Sequence, residues 1–184
     1  MRPRFLLHLP LLLLLAARPW AAAAEPIVLR FPERGQVAIS LSHELDHAFD
    51  LTSRWLADQP ASDTPLPDPA AYWTNGLPSS IADAWPLMGL LGDWPLPPDA
   101  PPRYQAAAAL ALALDHIGEE WVFLREGEPP LDWRKALIHL LVTEQRVSPA
   151  GDGYWHDESP SDLAATVSAL QALVLAANVA PAVL

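Results

Sequence analysis

Leu141-Val-Thr-Glu-Gln145, Gly151-Asp-Gly-Tyr-Trp155 and Leu163-Ala-Ala-Thr-Val-Ser-Ala-Leu-Gln-Ala-Leu173 follow one another near the end of the chain. They read as a helix ending in Gln, a Gly-containing turn that delivers Tyr-Trp, and an apolar helix starting eight residues after the Trp. The same order occurs earlier. Trp55-Leu-Ala-Asp-Gln59 leads through a Pro-rich loop to Tyr72-Trp73, then to Ile81-Ala-Asp-Ala-Trp-Pro-Leu-Met-Gly-Leu-Leu91, again eight residues after its Trp. Self-similarity of this kind points to a repeat architecture. Each unit is one helical hairpin that buries its apolar face only against a neighbour.

The intervening sequence supplies the remaining helices. Leu41, Leu45, Ala48, Thr52, Trp55 and Leu56 share a face of a helix over 42–59, with His43, His47, Asp50 and Arg54 opposite. Pro60 ends it. A helix over 80–91 contains Pro86, a kink or a start. Residues 104–117 are apolar almost all round, which predicts a buried helix, with Gly118 as its C-cap. Asp132 is a good N-cap for a helix running to about Arg146. Ser159-Pro-Ser-Asp162 opens the last one, with Ser159 as cap and Pro160 in the first helical position. Small residues in the 104–117 and 162–178 helices favour an inner layer; the amphipathic 42–59 and 132–146 helices suit an outer one.

The chain has 184 residues and no Cys, so neither disulfides nor thiolate chemistry is possible. Met1-Arg-Pro-Arg4, the apolar run Phe5 to Ala17 and Ala22-Ala-Ala24 have the three parts of a secretory signal peptide over 1–24, too short in its apolar core to span a bilayer. The expected location is secreted or periplasmic. Losing Arg2, Arg4 and Arg18 with the leader would take the formal charge from −11 to −14. That excess excludes nucleic acid and anionic lipid as natural partners. Residues 25–41 read as a short extended arm, around Ile27-Val-Leu-Arg-Phe31 and Gln36-Val-Ala-Ile-Ser40, and 42–184 as the repeat domain.

The pattern of Gln145, Gly151, Gly153 and Trp155, followed by the Thr/Ala/Leu-rich helix, resembles the repeat of the squalene-cyclase and prenyltransferase α/α-toroid superfamily (terpenoid cyclase-like). The resemblance implies outer helices ending in Gln, inner helices starting after a Trp, and a Trp–Gln clamp between successive hairpins. Trp55, Gln59 and Trp73 fit the first copy with a stretched loop, and Gly92-Asp93-Trp94 looks like a third, degenerate one. The implied fold is all-α, a partial α/α-toroid of two to three hairpins. These are too few to close a ring, so an open arc, a truncated product or part of an oligomer is expected. The family's chemistry does not transfer. The chain lacks the Asp-rich acid motif of the cyclases and the Cys needed by the zinc prenyltransferases and thioester-bearing toroids.

Another reading competes. His43-Glu44-Leu45-Asp46-His47 spells H-E-x-x-H, in which two His one turn apart bind Zn²⁺ and Glu44 acts as base on a metal-bound water. Against it, Asp46 sits beside the second His, and a third ligand must come from Asp63, Asp68, Asp83 or His116. A solvated outer helix face explains the segment without metal. His156-Asp157-Glu158 could hold a cation or a sugar hydroxyl, and Asp115-His116 could line a cavity; a solvated turn and a capped helix end are the plainer explanations. Of eight Trp, Trp20 lies in the leader. Trp55, Trp73, Trp94, Trp133 and Trp155 have posts in the repeat; Trp85 and Trp121 have none. The expectation is an exported binding or interaction module for a protein or small ligand, with no cofactor and no assigned chemistry. The enzymatic alternatives are a toroid-type enzyme on an isoprenoid or polysaccharide, with Asp83, Asp115 or Asp157 as acids, and the zinc hydrolase.

Overall fold

A computed structural model describes residues 41–60, 65–157 and 161–177. The expected leader, residues 25–40 of the arm, Asp63, Glu158, Ser159 and Pro160 lie outside these. The described part is 58% helix, and its strands are only two residues long, so the class is all-α.

Helix α1 (Leu41–Ala57) buries Leu45, Ala48, Leu51 and Thr52, one stripe at helical spacing. Its polar face carries the exposed His43, Asp46, His47, Asp50 and Arg54. Arg54 and Asp50 pair at 2.9 Å one turn apart, an exposed contact worth about 0.3–0.5 kcal/mol. After it comes a short 3-10 turn, Pro69–Tyr72, opened by the Asp68 carboxylate, which accepts from the Ala70 N–H. Asp68, one of the possible third zinc ligands, is used as this cap.

The expected 80–91 helix is broken into three. Helix α2 is Ile81–Ala84, a 3-10 turn spans Trp85–Leu87, and α3 is Gly89–Gly92. Pro86 is the reason. It has no N–H to donate, and its ring clashes with the carbonyl four residues back. At the end of α3 Asp93 takes a left-handed conformation, φ 56° and ψ 43°. The chain then doubles back, and Trp94 packs against Gly89 and Gly92. A Cβ on Gly92 would overlap the ring. Trp94 stacks on Trp85 at 5.6 Å between centroids.

Helix α4 (Arg103–Ile117) is the centre of the core. Every residue from Ala106 to Ala111 is buried. Alanine is both the best helix former and small enough to let another helix approach. That helix is α6 (Asp162–Ala177), whose Ala165, Ala169, Ala172 and Ala176 are buried in one stripe; among the described elements these two helices share the most extensive contact. Gly118 caps α4 in the left-handed conformation, φ 79°, and its N–H donates to the Leu114 carbonyl.

A two-stranded hairpin follows, β1 (Trp121–Val122) with β2 (Leu131–Asp132). Val122 points inward and is fully buried; Trp121 and Phe123 point outward. Helix α5 (Trp133–Glu144) starts from Asp132, whose carboxylate accepts from the Lys135 N–H at 3.1 Å. The buried Trp133 ring donates to the Glu119 carbonyl at 2.7 Å and closes the base of the hairpin. α5 ends at Glu144 rather than near Arg146, because Arg146–Val147 forms strand β3 with β4 (Gly153–Tyr154). α6 then begins, with the Ser161 hydroxyl accepting from the Ala164 N–H. Helix α5 lies against α6, and α1 against α5 and β4.

Candidate functional site

The last unit forms a polar clamp inside an apolar interface. Gln145 follows α5, and its side-chain amide reaches α1. It donates to the Ala48 carbonyl at 3.1 Å and to the Thr52 hydroxyl at 2.8 Å. Thr52 is fully buried and donates to the same Ala48 carbonyl, so the three groups satisfy one another away from water. Gly153 allows this approach. A Cβ there would lie 2.5 Å from the Gln145 amide nitrogen and 2.8 Å from Leu51. Gly151 turns the hairpin with φ 90°, which favours glycine. Trp155 is wholly buried. Its ring donates to the Leu141 carbonyl at 2.8 Å, and its own N–H donates to Thr166 at 3.0 Å. Trp55 of α1 stacks on Tyr154, centroids 5.5 Å apart. The Gln145 amide N–H, the Thr52 hydroxyl and both Trp155 N–H groups donate within the protein, which is what a structural clamp requires.

The first unit is arranged differently. Gln59 donates to the Trp55 carbonyl of α1 at 3.2 Å and, among the described residues, reaches no other element. Trp73 donates to the Ala109 carbonyl of α4 at 3.1 Å and packs edge-on against Tyr72. Tyr72 and Trp73 pack against the core, and the segment that follows them borders an open cleft of about 710 Å³. Its walls are residues 71–79 with Asp83 and Asp99. Asp83 accepts from Ser80 at 2.8 Å and from Ser79 at 3.4 Å; the Ser80 bond leads in holding its carboxyl below the usual range. Burial, then the Asp99 charge, pushes the Tyr72 phenol up, so it stays neutral and able to donate. Asp99 and Asn75 gave no signal in the sequence. Asp99 sits in a Pro-rich stretch with no pattern of its own, and only the chain's return brings it to the Tyr72 loop.

The other candidate residues are dispersed. His43 and His47 lie exposed on α1 with Glu44 between them, and no group of three His, Cys, Asp or Glu side chains able to hold a metal occurs among the described residues. Asp115 is engaged by Arg134 at 2.7 Å; that guanidinium also donates to Leu175 and lies over the Trp133 ring. Asp157 lies near Arg103 and Tyr104 and has one buried oxygen without a hydrogen-bond partner. Beside it, Arg103 holds both oxygens of Glu144, at 3.0 and 2.5 Å. Burial first, then Glu144, pushes the Tyr104 phenol up to about 12. His156 bonds Asp162 at 2.6 Å at the start of α6. Of the three possible acids, Asp83, Asp115 and Asp157, only Asp83 lines the cleft, and Glu44 does not.

Searches of protein-family models, of curated proteins and of solved structures found no match to this chain. No described helix is long and apolar enough to cross a membrane.

Proposed function

We propose that this chain is an exported helical-repeat binding module, similar in its hairpins to the squalene-cyclase and prenyltransferase repeats, and that its ligand occupies the Tyr72–Asp83 cleft. The observation that carries the reading is where the cleft lies. It lies between the Tyr72-Trp73 pair of the first unit and α2, walled by residues 71–79 with Asp83 and Asp99. It combines an aromatic wall with polar and carboxylate groups, and its size suits a small ligand. The Gln145 interaction with α1 supports the likeness to a clamped hairpin repeat.

Amide-resolved NMR of the purified protein against a library of small polar fragments tests the binding role. Hits should perturb residues 71–79, and hits concentrated elsewhere would refute the assignment. Metal analysis addresses the zinc-hydrolase alternative: stoichiometric zinc, lost in His43→Ala and His47→Ala, would replace the proposal. Fusion of residues 1–24 to a leaderless reporter tests export; retention of the reporter in the cytoplasm would withdraw that part.

A further inference from the structure

The ligand class can be argued from the cleft's charge. Two carboxylates line it, Asp83 and Asp99, and among the described residues no Lys, Arg or His does. The imbalance extends to the whole chain, with 22 acidic against 11 basic residues. Asp83 accepts the Ser80 and Ser79 hydroxyls through one oxygen, Oδ2, at 2.8 and 3.4 Å. The Ser80 hydroxyl foremost, and Ser79 after it, hold this carboxyl below the usual carboxylate range. Asp99 is exposed and lies close enough to act on the Tyr72 phenol. A negatively charged concave wall beside an aromatic ring attracts cations twice over, by charge and by the ring quadrupole.

The cation is organic rather than metallic on this arrangement. A hard divalent ion needs six or more oxygen ligands, several of them carboxylates. The described residues contain no cluster of three potential ligands. An ammonium or guanidinium needs only one or two acceptors and gains from an aromatic face. A neutral sugar would also use an aromatic ring and Asn75, but it would leave two carboxylates without a compensating charge. A cleft of about 710 Å³ matches a small molecule or one or two side chains, not a protein face.

We propose that the cleft formed by Tyr72, Asn75, Asp83 and Asp99 binds an organic cation, an amine or guanidine group, presented by a polyamine or by a short basic peptide. This rests on the cleft being the ligand site.

Titration of the full chain with spermidine, trilysine, maltotriose and calcium chloride, followed by NMR and calorimetry at low and physiological salt, tests it. Spermidine or trilysine should bind saturably with shifts at residues 71–79, and the tighter of the two identifies the source. Asp83→Asn and Asp99→Asn should each weaken binding about threefold, the scale of an exposed ion pair, and together about tenfold. The cap of α2 is the Ser80 hydroxyl accepting from the Asp83 backbone N–H, which neither substitution removes, so the melting temperature should not move. Tyr72→Phe should bind as the parent does, and Tyr72→Leu about threefold worse, the scale of an exposed cation–π contact. Binding should weaken as added salt shortens the screening length from about 30 Å to about 8 Å.

Binding of spermidine that ignores both Asp substitutions would overturn the proposal as mere attraction to an acidic protein. Shifts with maltotriose or calcium but not with the amines would overturn the cation class and leave the cleft as a binding site. No shift at residues 71–79 with any probe, and fragment hits elsewhere, would overturn both.

Discussion

The first and last units spell nearly the same sentence and fold differently. Between Gln145 and Tyr154 lie eight residues, and they close into the β3–β4 hairpin. Between Gln59 and Tyr72 lie twelve, with Pro60, Pro65, Pro67 and Pro69 among them. Each proline removes an N–H and fixes a backbone angle, so no paired strands form among those that are described. In the short version the Trp folds back under its own outer helix, Trp155 to Leu141. In the long version it reaches onward to another helix, Trp73 to Ala109 of α4. Loop length and proline content thus go with a change of partner: the same residue types bind a hairpin to its own outer helix in one unit and to α4 in the other.

The largest effect should come from the two Trp. Trp155→Ala removes a wholly buried indole and should cost about 3–5 kcal/mol, whereas the half-buried Trp73 should cost clearly less. Chemical denaturation of both variants checks this, and equal losses would break the contrast. Gly153→Ala comes next. Its methyl would press on the Gln145 amide and on Leu51, and overpacking of this sort costs about 1–3 kcal/mol. A neutral result in the same assay would mean that α1 and β4 can move apart freely.

The two Gln give a sharper and smaller test. Gln145→Ala strips the buried Thr52 and Ala48 groups of a partner and should cost about 1–3 kcal/mol. Gln59→Ala loses, among the described residues, only a bond back to the Trp55 carbonyl of α1 and should stay within about 0.5 kcal/mol. Similar losses at both positions would argue that Gln59 also joins two elements.

The smallest effect is alkaline. Burial and Glu144 raise the Tyr104 phenol to about 12, so the folded state favours its neutral form. The resulting stability is full below about pH 10, the ordinary phenol value, and is lost as pH rises through about 12. Tyr104→Phe should flatten that loss. A spectrophotometric titration in which no phenol ionises near pH 12 would contradict the environment described for Tyr104.

Much of the helical layout was readable from single residues. Asp132 and Gly118 are local devices, and each caps the helix that its chemistry predicts. The Ala run of α4 announced a buried helix because nothing in it could face water. Pro86 signalled a disturbance, but not that the 80–91 segment would break into three pieces. That outcome depends on Asp93 turning left-handed and on Trp94 docking back onto α3, a contact between neighbours in space. The hairpin at Trp121 was missed because a two-residue strand offers too little alternation to read. The cleft was half legible. Tyr72 and Asp83 belong to the repeat pattern, whereas Asp99 arrives from another loop and carries no local mark.

The Trp94 ring resting on two glycines has a bearing on how this protein could change over generations. A methyl at Gly92 evicts the ring, and eviction strands Trp85, which stacks on it. A smaller residue at position 94, in turn, would leave a bare backbone trough that two glycines no longer have a reason to keep. These four positions are therefore linked in descent: in any chain derived from this one, Trp85, Gly89, Gly92 and Trp94 should persist as a set or be replaced as a set.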